Sequence, residues 1–171
     1  MNLRLIVRRL DWCSLQVGHG VSWLTLALVL LTTVDVTMRY VFHTGAVFIQ
    51  ELEWHLFGLT FLLAGAYALR EDAHVRVDIF YSQMSPRTKA WVDLAGTIVI
   101  LFPVCVLVIW SSHKFVANAW GSLEGSPDPG GIPARFVLKS MIPIGFSLLA
   151  IQGVAEALRN YLQLTGRGEA P

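Results

Sequence analysis

Charge is what this 171-residue chain has least of. Asp, Glu, Lys and Arg make up 15% of it, against 54% hydrophobic residues. Soluble domains carry about 25% charged residues, so the deficit points to lipid as the surrounding solvent. The net charge is +1, which leaves no basic surplus to serve as a nucleic-acid footprint. Cysteine is scarce too. Cys13 and Cys105 lie far apart, and Cys105 sits inside an apolar run, so a disulfide framework is not expected. Repeats and low-complexity tracts are absent, and the length suits a single membrane domain over 1–171.

Three further absences exclude chemistry. A stand-alone secondary transporter usually shows paired interrupted helices in two halves; no such pair is found, and no acid lies at mid-membrane. A di-metal bundle needs two Glu-x-x-His motifs and two more glutamates. This chain has one such motif, Glu71-Asp72-Ala73-His74, in a loop. Haem needs axial ligands, and the five histidines offer no pair clearly at mid-membrane: His55 and His113 share an outer depth, while His19, His43 and His74 lie elsewhere. No catalytic, cofactor-binding or metal-binding residue is expected.

Long apolar runs are what the chain does have. A helix crosses the hydrocarbon core with roughly 20 mostly apolar residues, and four stretches qualify: 15–41, 48–69, 91–112 and 136–158. The second and fourth are slightly short in uncharged length, a gap that snorkelling side chains fill. Arg4, Arg8 and Arg9 before the first run resemble the start of a signal peptide. The run is too long and lacks a small-residue cleavage site, so it reads as a retained signal anchor. The expected fold class is therefore an all-α integral membrane protein with four transmembrane helices.

Basic residues set the orientation. With both termini inside, the inner segments hold nine: Arg4, Arg8, Arg9, Arg70, Arg76, Arg87, Lys89, Arg159 and Arg167. The outer side holds four: Arg39, Lys114, Arg135 and Lys139. The tail 159–171 is then cytoplasmic. Tyr40, Trp54, Trp110 and Trp120 fall at the outer boundary, and Trp12, Tyr81, Trp91 and Tyr161 at the inner one; Trp23 is deeper and fits less well. Short interfacial helical segments are expected at 3–12, where Leu3, Ile6, Val7 and Leu10 form a stripe, and within the inner loop 70–89. The outer loop 125–133 is rich in proline and glycine and should form an ordered, non-helical cap. Pro103 and Pro143 should kink or loosen the third and fourth spans.

Polar residues in the spans are the candidate functional positions. Asp35 and Arg39 are four apart near the outer end of the first span, a spacing that favours an intrahelical pair. They serve either as a boundary pair or as a contact to another span or subunit; a proton relay is the third option. Glu51, Glu53 and His55 open the second span. Glu51, His55, Gly58, Leu62, Gly65 and Leu69 share one helical face, and Glu53, Thr60, Ala64 and Tyr67 another. Carboxylates near water and small residues that admit close packing suit either an internal structural role or a subunit interface.

Several motifs occur together in a fixed order: Arg39-Tyr40-Val41-Phe42, Gln50-Glu51-Leu52-Glu53-Trp54, the run from Ala66 to Asp78, and Ser85-Pro86-Arg87. With the four-span context, they resemble the small membrane subunit (DctQ-like, Q) of the tripartite ATP-independent periplasmic, or TRAP, transporters. Gly125-Ser126-Pro127-Asp128-Pro129 and Lys139-Ser140-Met141-Ile142-Pro143 look like that family's mannitol/chloroaromatic branch. The resemblance covers about Leu10 to Asn160. It implies a bacterial inner-membrane, multi-pass subunit without enzymatic activity and without a cofactor. Its implied partners are a large membrane subunit (M) and a periplasmic substrate-binding protein (P), with membrane lipids around it. It also implies sodium-coupled uptake of an organic acid through the large subunit. Arg39, Glu51 and Glu53 match recurrent positions of such subunits. Two competing functions stand beside it: a small four-helix proton-coupled exporter that relies on Asp35, and a haem-bearing membrane anchor of a respiratory enzyme.

Overall fold

The structure is a computed structural model that describes residues 3–73 and 81–166. Among these residues there are four long helices and no strands. All four are long and apolar enough to cross a membrane. Most of the inner loop, including His74 of the Glu-x-x-His motif and the apolar stretch 75–80, lies outside the described residues.

Helix α1 runs Leu3–Val41 without interruption. At 1.5 Å per residue its 39 residues extend about 58 Å, nearly twice the hydrocarbon core. The amphipathic stretch 3–12 therefore continues the first span as one helix. Helix α2 is Val47–Arg70. Helix α3 spans Pro86–Gly121 and contains a π-helical turn at Thr97–Leu101. It starts on a well-formed cap: Ser85 Oγ accepts the Thr88 N–H at 3.2 Å, with Pro86 at the first helical position. Helix α4 is Arg135–Leu164 and stays helical through Pro143. The turn joining α1 to α2 and the loop joining α3 to α4 lie at one end, called the outer end after the orientation expected from the arginines.

Two helices end in the same way, and a third ends on a wider turn. Ala73 N–H donates to Ala68 O and Glu124 N–H to Ala119 O, both at 2.9 Å and five residues back, whereas the Thr44 N–H reaches six residues back to Met38 O at 3.1 Å. Each bond closes over a residue with positive φ: Asp72 at 55°, Leu123 at 47° and His43 at 54°. At Asp72 and Leu123 this is the Schellman geometry, in which the left-handed position usually holds glycine. The chain accepts the steric cost at three non-glycine residues and so satisfies carbonyls that lipid would leave unpaired.

The arrangement is a slab rather than a closed bundle. α1 packs on α2, and α4 packs on α1, α2 and α3. α3 leans on α4 along its length and makes no substantial contact with α1 or α2 among the described residues. The interior is thin and made of small residues such as Ala66, Ala90, Cys105, Ala119 and Ala155. Helix association in lipid depends on such close approach, because lipid tails are as apolar as leucine. Gly145 shows it directly: a Cβ built there would lie 2.5 Å from the Leu62 carbonyl oxygen. α2 and α4 therefore touch backbone to backbone.

Candidate functional site

Two polar clamps grip α4, one near each end. The outer clamp is built on Glu51, near the start of α2. Its side chain is buried, with the residue at 4% exposure. The carboxylate accepts from Ser126 Oγ at 2.5 Å, from the Ile132 backbone N–H at 2.5 Å and from Arg135 Nη2 at 2.7 Å. One side chain thus holds the loop and the first residue of α4. The loop closes on itself beneath this contact: Ser126 N–H donates to Ile132 O at 2.9 Å and Gly131 N–H to Asp128 O at 3.0 Å. With Pro129 second in that four-residue turn and Gly130 third at φ 80°, it has the residue pattern of a type II turn. Beside it, Arg135 lies over the Trp54 ring at 5.2 Å. Lys139 pairs with Glu124 at 2.5 Å and sits over Phe115 at 4.0 Å, and Trp120 Nε1 donates to Ser140 Oγ at 2.7 Å. The expected ordered outer cap is present.

The inner clamp ties α1 to α4. Gln152 is fully buried, at 0% exposure. Its amide accepts from Ser14 Oγ at 2.7 Å and donates to Asp11 Oδ1 at 2.9 Å. Arg159 Nη2 donates to both Asp11 oxygens at 2.9 Å, and its Nη1 reaches Glu156 at 2.6 Å. A lone glutamine in an apolar helix is costly, because an unmet amide in hydrocarbon has no water to turn to. Here its oxygen and its nitrogen both have partners on α1.

The residues singled out from the sequence separate into different roles. Asp35 is buried at 1% exposure and forms an ion pair with Arg39 on the same helix. Asp35 Oδ1 has no hydrogen-bond partner among the described residues, and the same holds for Glu53 Oε1, His55 Nε2 and Thr60 Oγ1. His55 is buried against Trp54, and its Nδ1 donates to the Glu51 carbonyl at 2.7 Å. That carbonyl can only accept, so Nδ1 carries the hydrogen. Gly58 faces Leu138 and Gly65 faces Leu149, both on α4. The Glu51–Leu69 face is therefore the seam to α4. On the Glu53–Tyr67 face, Tyr67 packs on Gly18 of α1, while Thr60 and Ala64 border an apolar groove beside α4. Glu51 is the candidate that organises a site; Gly58 and Gly65 line the seam to α4.

Sequence reasoning misses the partners. From the residues alone, Ser126 belongs to a loop and Arg135 to a boundary, and nothing singles out Asp11, Ser14 or Gln152. The available signal is polarity inside apolar helices: Gln152 in the fourth span, and opposite charges at matching depth in Glu51 and Arg135. Between α2 and α4 an apolar groove of about 510 Å³ opens sideways, floored by Ala64, Gly65 and Gly145 and walled by Phe57, Phe61 and Phe146. Among the described residues no three His, Cys, Asp or Glu side chains converge as a metal site.

Comparison with known families adds an independent line. The family model described as "Tripartite ATP-independent periplasmic transporters, DctQ component" matches residues 28–163, well over half of the chain. No curated protein sequence matches it.

Proposed function

The chain belongs to the DctQ component family of the tripartite ATP-independent periplasmic transporters, and from that premise we propose that it is the static scaffold subunit of such a system. It is a membrane-embedded transporter subunit and not an enzyme. In this reading it lies in the bacterial inner membrane with both termini inside. It supports a large membrane subunit, which carries out sodium-coupled uptake of an organic acid delivered by a periplasmic binding protein.

The observation that carries the reading is the pair of clamps. α4 is tied to α2 through Glu51 and Arg135 and to α1 through Asp11, Gln152 and Arg159. A helix held at both ends in fixed register suits a wall against which another subunit moves. Gating and alternating access use hinges, broken helices or two-state packings, and the two clamps here close within one arrangement. The thin slab also fits a component better than a self-contained carrier, since α3 has a single substantial neighbour among the described residues. The outer loop, held rigid by Glu51, is on the side where a periplasmic protein docks, and its fixed shape lowers the ordering cost of such contact.

Co-expression with a large membrane subunit of this transporter class tests the reading. The two should co-purify in detergent, and reconstituted vesicles should take up solute only when both are present with the binding protein. Uptake that persists undiminished without this chain would falsify the scaffold assignment.

A further inference from the structure

The buried residues of α3 keep a seven-residue rhythm with one flaw. They are Ala90, Thr97, Cys105, Ser112 and Ala119. The steps are seven, eight, seven and seven residues, and the odd step begins at the π-helical turn Thr97–Leu101. An α-helix advances about 100° per residue, so seven residues fall about 20° short of two turns, while eight overshoot by about 80°. In an unbroken α-helix the outer three residues of this series would therefore lie about 100° away from the line set by the inner two. A π turn holds one extra residue, and here the Phe102 N–H reaches back five residues to Thr97 O. That restores the phase, and all parts of α3 meet α4. On α4, Gly153 is the buried position that faces the joint, whereas Gly145 and Gln152 belong to the contacts with α2 and α1. A seven-residue repeat of buried positions along α3 is the pattern of left-handed packing at a shallow angle. At the joint itself α4 makes room: a Cβ on Gly153 would lie 2.6 Å from the Leu101 side chain.

We propose that the π turn is a register joint: it takes up one residue inserted into the seam, so that the inner and outer halves of α3 lock onto the same flank of α4. It is the one place in α3 where a residue can be removed without turning either half away. Pro103, which lacks the N–H that would return to Val99 O, weakens the α-helical ladder at this point and favours the wider turn. The inference is independent of the transport reading.

Two deletions in the full-length chain test it. Val99 and Val106 are both valines facing outward, at 69% and 65% exposure. Removing either shortens the span by the same one residue, so membrane mismatch is equal. Deleting Val99 should convert the π turn to α-helix and preserve the seam. Deleting Val106 should rotate the helix beyond it by about 100°. Each deletion is made with and without Ser112→Cys, whose parent residue is 8% exposed. The expected result for the Val99 deletion is melting within about 3 °C of the parent. Its introduced thiol should be as slow to alkylate as in the undeleted chain, with the site resolved by mass spectrometry. For the Val106 deletion, melting should fall by more than about 10 °C, or the protein should fail to accumulate, and the introduced thiol should react at least about tenfold faster in any protein recovered. A Val99 deletion as damaging as the Val106 deletion, including failure to fold, overturns the proposal. So does a Val106 deletion as harmless as the Val99 deletion.

Discussion

The carboxylate of Glu51 accepts the backbone N–H of Ile132 at 2.5 Å, across 81 residues of chain. A side chain at the start of one span thereby fixes the loop that introduces another. Removing it leaves Ser126 Oγ, the Ile132 N–H and Arg135 without their common acceptor. Glu51→Ala should free the loop while the four spans still insert. Hydrogen exchange at Ile132 is expected to rise roughly tenfold, the scale of one lost hydrogen bond, with little change in α1. Unchanged exchange at Ile132 would mean that the loop is ordered by its own turn alone.

The inner clamp makes a different prediction. Gln152→Leu keeps the volume but leaves Ser14 and Asp11 without the amide. Intramembrane hydrogen bonds are worth about 1 kcal/mol each at most sites, so a loss of about 1–2 kcal/mol is expected in detergent unfolding. Because Ser14 acts through Gln152, the Ser14→Ala, Gln152→Leu double variant should lose less than the sum of the singles. Strict additivity would show that the two residues do not work as one unit.

Close approach of α2 and α4 depends on Gly145. A Cβ there would sit 2.5 Å from the Leu62 carbonyl oxygen, which is backbone and cannot swing aside. Gly145→Val should cost about 2–3 kcal/mol and lower the melting temperature by roughly 4–10 °C. Gly20 is the matched control, since nothing lies within 4 Å of a Cβ built there. Gly20→Ala should be neutral or slightly stabilising through helix propensity. Equal melting of the Gly145→Val and Gly20→Ala chains would remove the close-contact explanation.

Asp35 separates the boundary role from a proton relay. It is paired with Arg39 one turn away on its own helix, near the outer end. Asp35→Asn should therefore leave the pH profile of uptake by the complete system unchanged, although stability falls modestly. The chain alone in vesicles should move no substrate against a proton gradient. A shifted pH profile, or efflux by the chain alone that Asp35→Asn abolishes, would favour the exporter reading.

How much of this is legible in the residues is uneven. The four spans announce themselves, because an apolar run of about 20 residues has few other uses. The ordered outer cap is also readable from its prolines and glycines. The intrahelical pair Asp35–Arg39 follows from spacing alone. Partners distant in sequence do not: nothing local links Asp11 to Gln152 or Glu51 to Ile132, and only the packing of helices brings them together. The helix ends are underestimated for a related reason. Lys114, Asn118 and the residues around Leu162 are too polar to count as membrane-spanning, yet α3 and α4 continue through them. Hydropathy marks where lipid begins, and hydrogen bonding decides where a helix stops. Pro103 predicts a loosened span, and the disturbance takes a definite form: a wide turn that starts before the proline.

The dependence of α3 on α4 bears on how the polypeptide is made. Synthesis delivers α1 and α2 first, and these two can pair at once as a hairpin. α3 follows with its principal neighbour still unsynthesised. It must wait in the bilayer, or in the insertion machinery, until the fourth helix emerges. Release from the ribosome before Arg135 would leave an intact hairpin and an unmoored third segment, the kind of species that membrane quality control removes.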